Sequence, residues 1–311
     1  MTPLVLPAVD ASANRRGIIA MCTAMACFMT NDTLVKIVST QLPAGEIIAI
    51  RGLFATILVL GWVFAMGHAR DLPRIVSPLV MTRAGMEALV AFLFISALAS
   101  IPIADITAIF LITPLLITAL SGPLLKEQVG WRRWSAVAAG FVGMLLVVKP
   151  GGAGFVAGSA TAMALVSVVF CALRDIVTRF IDHRIPTIVV TLSTCATVGL
   201  FGLAMIPFQT WVPPEPKHIL ILLAASVVLV IGNHAMILAF RGVEVSLVSP
   251  FRYSVMVWAI VSGITVFGEW PDWMSWTGIG LIVAAGLYTL HRERVRLRVR
   301  DAKTEAAATI P

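Results

Sequence analysis

The sequence is short of charge. Asp, Glu, Lys and Arg make up 13% of its 311 residues, against roughly 25% in soluble globular chains. Apolar types reach 59%, where roughly 45–50% is usual. A compact soluble domain of this size has too little interior to hide so much apolar side chain behind so few charges. A soluble enzyme, a disordered chain, a disulfide-built secreted scaffold and a coiled coil are thereby excluded. Cysteine is scarce too. Cys22, Cys27, Cys171 and Cys195 all lie inside apolar runs with no CxxC pair, so neither a disulfide framework nor a metal centre is expected. Also missing are HExxH, GxGD and GxSxG patterns and any paired Asp/His set at metal spacing. No catalytic residue, metal ligand or cofactor is therefore expected. The first 16 residues lack the apolar centre of a signal peptide, and Arg15-Arg16 lead directly into what reads as a retained first span.

What is there is ten apolar runs, each near the ~20 residues needed to cross a ~30 Å hydrocarbon layer. They cover 17–38, 46–67, 78–98, 104–124, 132–149, 158–180, 186–206, 218–240, 245–267 and 273–290. Breakers separate them: Leu42-Pro43-Ala44-Gly45, Leu72-Pro73-Arg74, Ile101-Pro102, Lys149-Pro150-Gly151-Gly152, Pro213-Pro214-Glu215-Pro216 and Trp270-Pro271-Asp272. Loops this short leave no room for a soluble catalytic or receptor domain. An all-α polytopic membrane protein with ten transmembrane helices follows. The polar tail from Arg292 reads as disordered.

The net charge of +7 is distributed as a membrane protein requires. Arg15, Arg16, Arg70, Arg74, Lys126, Arg132, Arg133, Arg179, Arg184, Arg241 and six tail residues (Arg292, Arg294, Arg296, Arg298, Arg300, Lys303) fall on one side. Only Lys149 and Lys217 fall on the other. Lys and Arg concentrate on cytoplasmic loops, which puts both termini in the cytoplasm. The basic tail then faces anionic lipid, and no nucleic-acid partner is expected.

The chain also repeats. Glu127-x3-Trp131-x2-Trp134 recurs as Glu269-x3-Trp273-x2-Trp276, shifted by 142 residues. Asn31-Asp32-x3-Lys36 is answered by Arg174-Asp175-x3-Arg179 at a shift of 143. Leu, Val and Ala match by chance between any two apolar helices; charges and tryptophans at one near-constant shift do not. The organisation read from this is a cytoplasmic tail 1–16, one five-helix repeat 17–150, a second 155–290 and a basic cytoplasmic tail 291–311. Five spans is an odd number, so the second repeat enters the membrane upside down. Inverted repeats are a hallmark of secondary transporters.

With two such halves, a fourth span ending in Lys126-Glu127 or Gly268-Glu269, and a Trp-flanked, Gly-rich fifth span in each half (Trp131 to Val148, Trp273 to Leu290), the chain resembles the drug/metabolite transporter superfamily with paired EamA-type domains. Asn31-Asp32, Leu125-Lys126-Glu127, Trp131-x2-Trp134, Arg174-Asp175-Ile176 and Pro250-Phe251-Arg252-Tyr253 look like the S-adenosylmethionine-uptake and riboflavin-uptake types. The resemblance implies a ten-helix inner-membrane carrier working by alternating access. The solute is expected to be a small organic molecule, with a proton as candidate coupling ion through Glu87 or His234, and the protein is expected to be a monomer or homodimer. Exporters of amino-acid-like metabolites, opine-type metal chelators or drugs use the same scaffold.

Ionisable groups inside a span cost at least ~2.5–3.5 kcal/mol at its centre and call for a partner or a wet cavity. At 1.5 Å per residue, Asp32 and Arg51 reach similar depth, about four to five residues outward of mid-span, and form an expected outer gate pair. Arg174, Asp175, Arg83 and Arg252 lie at comparable inner depth, and Asp175 with Arg252 or Arg83 forms the inner one; the alternative for both is fixed ion pairs that stitch the bundle together. Glu87, Asn233 and His234 come nearest the midplane; with Tyr253 and Trp258 they make up the expected solute cavity, and Phe92 and Phe94 share its spans. Glu127 and Glu269 are expected to cap helices or hold loops. Gly140, Gly143, Gly278, Gly280 and Gly286 suit close helix approach. A channel would need a filter-like re-entrant segment, and none is visible.

Overall fold

The computed structural model describes residues 11–125, 131–149, 158–178, 180–182, 184–240 and 248–308. These hold eleven α-helices and no strand. The first half contributes α1 (Ala11–Ser39), α2 (Ala44–Ala65), α3 (Pro78–Leu98), α4 (Ile103–Phe110), α5 (Thr113–Leu125) and α6 (Trp131–Val148). The second contributes α7 (Gly158–Thr178), α8 (Thr187–Ala204), α9 (Pro216–Phe240), α10 (Ser254–Ser262) and α11 (Trp273–Ala308). In a bilayer each backbone polar group must be satisfied within its own segment, so apolar runs of this length become helices. Proline sets several starts. Pro78 and Pro216 open α3 and α9, and Pro43, Pro102 and Pro186 immediately precede α2, α4 and α8. There the missing N–H would have had no partner in any case.

Eight helical stretches are long and apolar enough to cross a membrane, and Trp134–Val148 and Phe251–Phe267 supply two shorter apolar ones. Among the described residues, these ten stretches match the ten apolar runs of the sequence. The fourth is interrupted at Leu111-Ile112, between α4 and α5. The ninth passes from a 3-10 turn (Ser249–Tyr253) into α10, and then into a π turn at Gly263–Phe267. The two interruptions fall at the same place in the repeat, since 253 is 142 residues after 111.

Packing follows the duplication. α1 lies on α9, and α7 lies on α3, the same relation with the halves exchanged. α2 meets its repeat mate α8, and α6 meets α11. At the α2–α8 crossing, a Cβ on Gly52 would stand 2.5 Å from the Cα of Gly199. At the α6–α11 crossing, one on Gly278 would stand 2.5 Å from the carbonyl oxygen of Gly143. Gly140 packs on Leu115 and Gly286 on the Tyr253 ring, while Gly280 faces open space. Below, the face where α1 begins is the terminal face, and the face where α1 ends is the opposite face.

The tail differs from expectation. Instead of ending near residue 290, α11 continues to Ala308. Arg, Glu, Lys and Ala dominate residues 292–308 with no Gly or Pro among them, and these are strong helix formers. A helix already nucleated by the buried turns upstream extends through them at little cost.

Candidate functional site: a mid-depth ion network and a clamp at one face

Halfway along α3, Glu87 meets the Arg174 guanidinium of α7 in an ion pair between the two halves. Arg174 also donates through Nε and Nη2 to Asp175 Oδ1, at 3.0 and 2.7 Å, and through Nη2 to Cys171 Sγ at 3.2 Å. One turn from Glu87, Arg83 donates to the hydroxyls of Thr178 (3.1 Å) and Thr194 (2.6 Å). On the first two crossings, Arg51 donates to Asn31 Oδ1 at 3.3 Å, and Asn31 Nδ2 donates to Asp32 Oδ1 at 2.9 Å. Glu87 feels the charges of Arg174, Arg83 and Arg51 together.

Two separate gate pairs were expected; this is one electrostatic network. Asp32 and Arg51 lie at matching depth but meet through Asn31, with no direct ion pair. Arg51 also reaches the field of Glu87, because the side chains' length closes the gap left by helix-axis depth. Asp175 binds its own neighbour Arg174 and lies within the field of Arg83, the other expected partner, but meets no arginine of the ninth crossing. Arg252 is exposed and sits on the 3-10 turn that packs against α1 and α11, whereas Asp175 lies on α7 against α3.

The other expected cavity residues are dispersed. His234 is exposed, its ring 4.9 Å from that of Trp62. Trp258 is 41% exposed. Asn233 is half-buried. Tyr253 is buried against Gly286, and its hydroxyl has no partner. Phe92 and Phe94 stand edge-on to Phe201 (5.9 Å) and Phe110 (4.9 Å), as helix packing. Of the five expected cavity residues, only Glu87 belongs to the network.

A second group, at the opposite face, was not expected as a unit. Lys36 Nζ lies 2.6 Å from Glu269 Oε1 and 2.8 Å from the Ile101 carbonyl oxygen. Glu269 Oε2 accepts the Ile103 N–H at 2.9 Å, capping α4. Asp105, Lys149 and Asp272 complete the charges nearby, and Lys149 Nζ stands 2.7 Å from Asp272 Oδ1. Asp272 lies outside the spans, and the hydrogen bond from Lys149 holds its carboxyl below the usual carboxylate range. The available signal was the repeat. Glu269 and Lys36 occupy positions that recur as Glu127 and Arg179, which lie outside the described residues.

The model of the EamA-like transporter family matches residues 15–149 and 158–290. A riboflavin transporter of Rhizobium johnstonii is 27% identical over 220 residues, covering 70% of this chain and 72% of its own. An S-adenosylmethionine uptake transporter of Rickettsia felis is 25% identical, covering 85% of this chain and 88% of its own. The pseudopaline exporter CntI of Pseudomonas aeruginosa is 27% identical, covering 87% and 94%. A crystal structure with a TM-score of 0.61 and 22% identity spans 90% of this chain and 98% of its own; that likeness concerns the fold.

Proposed function

Because the chain belongs to the EamA-like transporter family, we propose that this multi-pass membrane protein is a secondary carrier. It moves a small organic metabolite across the bacterial inner membrane by alternating access, with both termini in the cytoplasm. The observation that carries this reading is the ion network at mid-depth between two inverted halves, around Glu87 and Arg174. Inverted repeats that pack as exchangeable partners can rock about a fixed central site. Guanidinium groups and carboxylates held inside apolar spans mark the path of a polar solute.

For the solute, the reading is uptake of a cofactor-like molecule such as riboflavin or S-adenosylmethionine, after the similarity to transporters of those names. A second reading, export of an opine-type metal chelator, has the similarity to the pseudopaline exporter in its favour. Uptake and efflux of a labelled panel holding all three classes, in a transport-deficient host with and without a proton uncoupler, separates the two directions. Net accumulation of riboflavin or S-adenosylmethionine supports the first reading, and uncoupler-sensitive efflux of the chelator the second. In the same assay Glu87→Gln is expected to lower affinity or rate; unchanged affinity, rate and pH dependence remove Glu87 from the path.

A further inference from the structure

At the opposite face one ion pair joins three pieces of chain. Lys36, 6% exposed, stands three residues before the end of α1. It binds Glu269 Oε1 and the Ile101 carbonyl oxygen, while Glu269 Oε2 takes the Ile103 N–H. The end of α1, the connection between α3 and α4, and the stretch beyond α10 are thus closed on one another. The Phe267 ring covers the ammonium from 4.9 Å. The approach of Glu269 is prepared by the chain before it. Gly268 adopts φ +68°, a left-handed conformation that a side chain would strain, and the Glu269 N–H donates to the Gly263 carbonyl at 2.8 Å. Ile101, whose carbonyl Lys36 holds, also lines a small cavity with Asp105, Ile109, Val148 and Thr161, among others.

An ion pair is a poor choice for a permanent seal, because well-packed apolar residues hold as well without the cost of desolvating two charges. What it offers is a second state. Lys36 and Glu269 sit at the edge of the apolar spans, so on parting each charge meets water. The mid-depth pair of Glu87 and Arg174 is instead held within a larger network, with Asp175 also on Arg174. We propose that Lys36 and Glu269 form the latch that closes the opposite face of the carrier, and that it opens in each transport cycle. This rests on the carrier reading, and it assigns the moving contact to a pair distinct from the Asp32–Arg51 pair expected from the sequence.

The test needs no solute. Thr161→Cys places a thiol in the cavity that Ile101 shares with the latch, and a membrane-impermeant maleimide is added to either side of sealed proteoliposomes. The protein carrying only the native cysteines gives the background. With the latch intact, labelling from the opposite face is expected to be slow. Lys36→Met should raise it about tenfold or more, a population shift toward the open state. Glu269→Gln should raise it less, because its amide oxygen still accepts the Ile103 N–H. Should Lys36→Met fail to fold, Glu269→Gln decides alone. A folded variant with unchanged labelling, or one labelled equally from both faces, overturns the latch. A wild-type protein that moves no solute would overturn the carrier reading instead, since the labelling is read without transport.

Discussion

Within the mid-depth network the arginines are not equivalent. Arg174 is bound by two carboxylates, Glu87 and Asp175, while Arg83 is held by two threonine hydroxyls and Arg51 by one amide oxygen. Removing one member of a buried ion pair costs about 3–5 kcal/mol, chiefly because the other charge is stranded. Arg174→Met strands two carboxylates. Glu87→Gln leaves Arg174 still paired with Asp175. Arg174→Met is therefore expected to lower the melting temperature in detergent more than Glu87→Gln, and the two changes together to cost less than their sum. Equal losses from the two single variants would mean that Asp175 does not share the charge of Arg174.

Helices meet most closely where glycine allows it. At the α2–α8 crossing the neighbour of Gly52 is the backbone of Gly199, which cannot rotate away as a side chain can. Overpacking of this kind costs about 1–3 kcal/mol, so Gly52→Val is expected to destabilise by at least that much in thermal melting. Gly280→Ala, facing open space, should be neutral. These crossings were partly legible. The spans, their proline-marked starts and the repeat all stand in the sequence, as do the small faces at Gly143 and Gly278. What could not be read was rotation about each helix axis. In a soluble helix the polar face reveals which side is buried, but a bilayer makes both sides apolar. Thus Ile47 and Ile48 are buried while Leu53 and Ile57, a turn or two further along α2, are 59% exposed. Depth along a helix could be estimated from residue counts; the facing partner could not. That is why Asp32 and Arg51 were brought to the same level yet Asn31 stands between them. It is also why His234 and Trp258, near mid-span by count, turn out exposed.

Across the whole molecule, duplication explains more than any single residue. The exchange-symmetric packing of α1 on α9 and α7 on α3, and the interruptions 142 residues apart, make each half able to take the other's role. On the carrier reading proposed above, the protein has two related arrangements, one open to each face, and a solute can bias the exchange only if it binds the two differently. Counterflow tests this most directly. Purified protein in liposomes preloaded with unlabelled riboflavin, S-adenosylmethionine or chelator is given the same compound, labelled, outside. A carrier working by alternating access should draw the label in transiently, faster than into unloaded liposomes, with saturation and with slowing in Arg174→Met. Label that enters linearly without saturation, ignores the compound inside, or accompanies single-channel currents would contradict it.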